Sequence, residues 1–167
     1  MGILQKILKD KAVTHLKEGD PAPAFSGVDQ DGKRISLSDF TGKKFVLYFY
    51  PKDDTPGCTV ESCNLRDNYT ELKKRGIEIV GVSADDEKSH KKFIQKYSLP
   101  FRLIADMDKA IINAYGVWGE KSVFGKTYDG ILRTTFVIDE EGRIEKILSK
   151  VDTGNHSEQI VSAITST

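Results

Sequence analysis

The chain has 167 residues, 38% of them hydrophobic and 30% charged, which suits one folded domain with a substantial core. Lysine plus arginine equals aspartate plus glutamate at 25 each, so nothing in the charge balance points to nucleic acid or an anionic membrane surface. No apolar run approaches the roughly 20 residues that span a bilayer, and two cysteines are too few for a secreted disulfide scaffold.

Residues 3–12 read as a short amphipathic helix, with Ile3, Leu4, Ile7 and Leu8 on one face and lysines opposite. The lysines interrupt any apolar core, so the segment is not a signal peptide, and residues 1–13 are expected to be a short helical or disordered extension. The domain is expected to occupy 14–167. Gly19 to Pro23 is a turn-rich entry. Phe25–Val28 and Lys33–Leu37, joined through Asp31-Gly32, predict a β-hairpin, and Ser38–Gly42 predicts a short helical turn.

The run 44–50 is continuous and apolar, as in a central strand. A helix is expected from about Cys58 or Thr59 to Lys74, stopping near Gly76. Ile77–Ser83 predicts a second buried strand, Asp85–Ser98 a helix ended by Pro100, and Phe101–Ala105 a third strand. Residues 107–115 predict another short helix. Glycines at 116, 119, 125 and 130 suggest a loop over 116–130. Arg133–Ile138 and Arg143–Leu148 predict a hairpin turning at 139–142, and Asn155 is expected to cap a last helix through Ile164. Hairpin, βαβαβ, hairpin and terminal helix, with right-handed parallel crossovers, outline an α/β thioredoxin-like sandwich. Its central sheet is mixed, with helices on both faces and an N-terminal β-hairpin.

The two cysteines, Cys58 and Cys63, lie together just after the central strand. Cys58 falls where that strand hands over to a helix, and Pro56-Gly57 before it is turn chemistry. There the unpaired N–H groups and the positive end of the helix dipole favour a thiolate. Cys63 follows five residues later.

The block Pro51-x-x-x-Thr55-x-x-Cys58 resembles the peroxidatic motif of the peroxiredoxins. The Cys58-to-Cys63 step resembles the peroxiredoxin Q group, also called bacterioferritin comigratory proteins. Arg133-Thr134-Thr135-Phe136-Val137-Ile138-Asp139, preceded by Tyr128-Asp129-Gly130, resembles the strand that carries that family's active-site arginine. The resemblance spans about residues 14–165. It implies a thiol peroxidase acting on hydrogen peroxide and organic hydroperoxides. A thioredoxin or similar dithiol would recycle it, without metal, haem or flavin; the resemblance allows a monomer, and the small number of cysteines suits a reducing cytoplasm.

In that reading Cys58 is the nucleophile and Cys63 the thiol that condenses with its sulfenic acid. Arg133 is the cation that stabilises the thiolate and binds a peroxide oxygen. Thr55 offers a hydroxyl to peroxide or thiolate, or serves only to hold the turn. Pro51 shapes the loop, and the N–H groups of Gly57 and Cys58 add donors. Glu61 is either an orienting partner for Arg133 or a solvated helix-face charge. Trp118 and Phe49 are expected to pack, with Tyr50 flanking the site. His15, His90 and His156 show no metal-ligand spacing and read as surface histidines.

Five residues of ideal helix place two Cα atoms roughly 8–9 Å apart, beyond the limit of about 7 Å for a disulfide. If both cysteines sit on one helix, residues 57–64 must unwind before they can bond. Two other functions use the same cysteines: a thioredoxin-type disulfide oxidoreductase, which normally has two residues between its cysteines rather than four, and a peroxide sensor. A metal site would have only two thiols and no nearby histidine.

Overall fold

The computed structural model describes residues 14–165. The expected N-terminal helix lies outside the described residues. The core of the molecule is a five-stranded mixed sheet. Its strands are β3 (Lys44–Phe49), β4 (Ile77–Ser83), β5 (Arg102–Ala105), β8 (Thr134–Ile138) and β9 (Ile144–Leu148). Their order is β5-β4-β3-β8-β9, with β3, β4 and β5 parallel and β8 and β9 antiparallel additions. The N-terminal hairpin pairs β1 (Ser26–Val28) with β2 (Arg34–Ser36). A second hairpin pairs β6 (Trp118–Val123) with β7 (Lys126–Ile131). The helices are α1 (Pro56–Asp67), α2 (Tyr69–Lys74), α3 (Glu87–Tyr97), α4 (Ala110–Ala114) and α5 (His156–Thr165).

Strand alternation divides the interior in two. Phe45, Leu47 and Phe49 of β3 join Val80, Val82, Tyr115 and Phe136 on the face covered by the N-terminal hairpin and α4. Val46, Tyr48 and Tyr50 point the other way, into a core shared with Cys58 and Leu65 of α1, Leu72 of α2, Phe93 of α3 and Ile160 of α5. Each of these side chains is almost fully removed from water, which contributes roughly 1.5–3 kcal/mol per large apolar group. Gly81 makes this packing possible, because a Cβ there would lie 2.6 Å from Leu103 and 2.9 Å from the Tyr48 ring.

Three expectations are corrected. The helix expected through Lys74 breaks at Asn68, whose side-chain amide bonds back to the carbonyl of Asn64 at 2.8 Å and competes with the helical ladder. Residues 116–130 are not a loop. Most of them form the β6–β7 hairpin, which turns at Phe124-Gly125 with φ of 52° and 77°. The last helix is preceded by a 3-10 turn over Thr153–Asn155, itself capped by the Asp152 carboxylate through the Gly154 N–H; Asn155 lies in that turn and donates its side-chain amide to Asp152 Oδ2 at 3.2 Å.

Candidate active site

The C-terminal end of β3 lies beside the N-terminal end of the antiparallel β8, with Phe49 opposite Thr134. Arg133, immediately before β8, therefore arrives beside the loop 51–55 that leaves β3 and starts α1. Pro56 occupies the first turn of that helix and Thr55 is its N-cap residue. Proline fits there because its missing N–H would have had no helical partner. The N–H groups of Gly57 and Cys58 also precede the first i−4 bond, which runs from Thr59 N to Thr55 O at 2.8 Å.

Cys58 is 1% exposed and points into the α1-side core. Arg133 Nη2 donates to its Sγ at 3.3 Å, and Nη1 donates to Glu61 Oε1 at 2.6 Å. The guanidinium thus spans two positions of one helix face, three residues apart. Gly57 permits this approach, since a Cβ there would lie 3.2 Å from Arg133 Nη2. Glu61 has no exposed surface, so it is an orienting partner of Arg133 and not a solvated charge. Burial raises its pKa to about 7 against the lowering pull of Arg133. Burial also opposes the charge on Arg133, but Glu61 and Cys58 outweigh it and raise its pKa.

Cys63 is half-buried on the same unbroken helix, and both thiols are free. Thr55 donates its hydroxyl to the Lys52 carbonyl at 2.8 Å, so here it holds the turn. Pro51 forms the bend at the end of β3. Phe49 is a core residue, and Tyr50 donates to Asp53 Oδ1 at 2.6 Å. Trp118 is partly exposed, with Lys109 Nζ over its ring at 5.0 Å, so it is not a packed interior residue.

Two histidines overturn the surface assignment. His90 and His156 are both 0% exposed, while His15 is exposed as expected. His90 Nδ1 lies 2.7 Å from Asp53 Oδ2 and its Nε2 2.8 Å from the Ile104 carbonyl. Both ring nitrogens face acceptors, which assigns an imidazolium paired with a carboxylate. Burial opposes that charge, but Asp53 overcomes it and raises the His90 pKa. Ser89 also donates to Asp53 at 2.8 Å, so the loop carrying Pro51 and Thr55 is pinned onto α3. Asp54 beside it is held in the left-handed region, φ 56°, by bonds from Lys96 and Tyr97. Asp53, Asp85 and His90 bring ligand atoms within 4.8 Å of one another, yet the Asp53 and His90 atoms are already taken up by these bonds.

His156, on α5, takes Thr135 Oγ1 at its Nε2, 2.8 Å away, and places Nδ1 2.9 Å from Gln159 Oε1. Its Nε2 lies 3.5 Å from Glu61 Oε2. Lys121 of β6 approaches from the second hairpin, bonded to the Ile131 carbonyl at 3.0 Å. Burial, then Arg133, lowers its pKa. Sequence spacing could not reveal these partners, because His90 and Asp53 are 37 residues apart and His156 and Thr135 are 21 apart.

Known proteins resemble this chain in sequence and in fold. The profile of the AhpC/TSA family matches residues 18–147. Peroxiredoxin Bcp of Escherichia coli (strain K12) is 48% identical over 147 residues, covering 88% of this chain and 94% of the relative. The structure of a cysteine variant of PrxQ from Xylella fastidiosa superposes with a TM-score of 0.85 at 30% identity, covering 92% of this chain and 98% of that one. A structure of the bacterioferritin comigratory protein of Xanthomonas campestris, determined for its alkyl peroxide reduction activity, gives a TM-score of 0.79 at 35% identity, over 85% and 90% of the two chains. The thioredoxin-like fold expected from the element order is the fold these structures share. The chain belongs to the AhpC/TSA family, within its peroxiredoxin Q/Bcp branch.

Proposed function

We propose that this chain is a thiol peroxidase in which Cys58 attacks the peroxide and Cys63 resolves the product. The observation that carries the reading is the Arg133 guanidinium at 3.3 Å from Cys58 Sγ, at the N-terminal turn of a helix that also bears Cys63. A thiolate at Cys58 would be stabilised by that cation and by the free N–H groups of the first turn. Its sulfur attacks one peroxide oxygen, the S–O bond forms as the O–O bond breaks, and the leaving oxygen departs as water or an alcohol after taking a proton. Arg133 then serves the charge developing on the departing oxygen as well as the thiolate. The alkyl peroxide reduction studied in the Xanthomonas protein supports organic hydroperoxides as substrates beside hydrogen peroxide.

The sulfenic acid at Cys58 then condenses with the Cys63 thiol, releasing water and forming the disulfide. With both residues on one intact helix, this step requires α1 to open around 57–64. A thioredoxin or similar dithiol returns the pair to thiols by exchange. No metal or organic cofactor enters these steps. Thr55 and Pro51 act by holding the loop that presents Cys58.

The test is peroxide consumption coupled to thioredoxin. Cys58→Ser is expected to abolish it. Cys63→Ser is expected to allow one rapid oxidation and no thioredoxin-driven turnover. Multiple turnover by Cys58→Ser would overturn the assignment.

A further inference from the structure

The mechanism uses the Arg133 charge but gives no account of the buried carboxyl beside it. Glu61 Oε2 is buried with no hydrogen-bond donor in reach, although the side chain has no exposed surface. An ionised carboxylate left in that condition is costly. Arg133 meanwhile faces two acids at once, Cys58 and Glu61. If both were ionised, one buried cation would serve two anions. The reaction needs the thiolate, so the carboxyl is the group to be neutral.

The neighbour of Oε2 fits that assignment. Gln159 Oε1 accepts from Asp152 N at 2.8 Å and its Nε2 donates to the Lys150 carbonyl, which fixes the amide orientation. His156 Nδ1 must therefore carry the hydrogen toward Gln159 Oε1, leaving Nε2 as a lone pair. That lone pair receives the Thr135 hydroxyl and faces Glu61 Oε2 at 3.5 Å. A carboxylate oxygen there would meet no donor, only a ring nitrogen already occupied by the Thr135 hydroxyl, so the neutral acid is the less costly form.

We infer that Glu61 sits in the folded site as a neutral carboxylic acid with its proton on Oε2, the oxygen Arg133 does not bond, aiming Arg133 at Cys58 without cancelling the guanidinium charge. When α1 unwinds, Glu61 enters water and gives this proton up. Glu61 is thus a positioning residue whose ionisation is coupled to the conformational step, and the coupling rests on the cysteine roles proposed above.

The surrounding groups agree. Arg133 reaches Glu61 from the turn between β7 and β8, His156 from α5, and Cys58 from the same helix. Tyr48 of β3 bonds Ser62 at 3.0 Å and is kept neutral by burial. Lys121 adds a cation near Arg133. Burial holds Glu61 at about 7, and burial holds His156 at about 4, so near pH 6 the acid is protonated and the imidazole is neutral. The condensation itself is proton-neutral: the Cys63 hydrogen leaves with the sulfenic hydroxyl as water. Any extra proton released with the disulfide comes from groups that change surroundings. Between pH 4.5 and 7 the opened helix gains on the closed one by up to on the order of 10²-fold.

Infrared difference spectroscopy of the full chain with ¹³C-glutamate tests this in two steps. In the reduced protein, raising the pH from 6 to 8.5 should convert one protonated glutamic acid C=O band to carboxylate. At pH 6, oxidation by one equivalent of hydrogen peroxide should make the same conversion. Glu61→Gln should lack the band in both experiments. A reduced protein whose glutamates are all carboxylate at pH 6 overturns the inference, and labelled wild type alone decides this if the variant does not fold. A missing Cys58–Cys63 disulfide in the mass spectrum refutes the cysteine roles and with them the coupling. A disulfide that forms while the acid band persists refutes the coupling alone.

Discussion

Replacing Arg133 by methionine removes the guanidinium while keeping most of the side-chain volume. Two bonds are lost, 3.3 Å to Cys58 and 2.6 Å to Glu61. A hydrogen bond to a charged group is worth about 1.5–3 kcal/mol, so loss of the bond to the thiolate lowers the second-order rate with peroxide by roughly 10- to 150-fold. Loss of the second bond acts on stability. Arg133 is the group that pulls Glu61 down, so without it the buried carboxyl rises above about 7 and stays neutral. The cost is then that of unmade hydrogen bonds, about 1–3 kcal/mol, and not the roughly 3–5 kcal/mol of a stranded buried charge. Stopped-flow peroxide kinetics and urea unfolding separate the two effects. Adding Glu61→Gln to Arg133→Met should leave the rate low and change stability little. A rate within twofold of wild type for Arg133→Met would refute the role given to the guanidinium, as would recovery of the rate in the double variant.

Gly57→Ala places a methyl group 3.2 Å from Arg133 Nη2. It should leave the melting temperature nearly unchanged, because alanine suits a helix better than glycine by up to about 1 kcal/mol, yet slow peroxide attack about tenfold by displacing the guanidinium. Asp53→Asn breaks the buried pair with His90 and should cost about 3–5 kcal/mol in urea unfolding, with hydrogen exchange rising first over residues 51–55. The pH dependence of stability should show two opposed contributions. His156 is lowered to about 4, so its contribution is complete above pH 6.5 and is lost as pH falls toward 4. Glu61 is raised to about 7, so its contribution is complete below pH 4.5 and is lost as pH rises through 7. Each is on the order of 3 kcal/mol and they offset one another, giving a flat profile from pH 5 to 7. Glu61→Gln should make stability fall steeply on acidification, and an unchanged slope in that variant would refute the assignment.

The parts of the fold carried by apolar continuity were legible in the sequence. The run 44–50 contains β3, the motif around Cys58 starts α1, and Arg133 stands at the entry of the neighbouring strand β8, one residue before the strand expected to include it. The β6–β7 hairpin was not legible, because most of β7 is solvent-exposed and has no buried face to impose an alternating pattern, while its glycines suggest breaks. The break at Asn68 carries no proline or glycine, only an asparagine whose side chain competes for a carbonyl. The buried histidines were missed for a different reason. A histidine is polar in any sequence count, and what makes His90 and His156 interior residues is a hydrogen-bond partner delivered by a distant strand, the Ile104 carbonyl for one and the Thr135 hydroxyl for the other. Glu61 shows the same limit: its spacing from Cys58 gave the face, but only the fold supplies Arg133 and His156 around it.

The central claim is that chemistry at Cys58 ends in a disulfide that an intact α1 cannot accommodate. Hydrogen exchange across residues 56–67, measured on the reduced protein and again after one equivalent of hydrogen peroxide with the Cys58–Cys63 bond verified by mass, tests it most directly. Protection of the 57–64 amides is expected to collapse in the disulfide form while β3 and β4 keep theirs. A Cys58–Cys63 disulfide formed with α1 still fully protected would contradict the account.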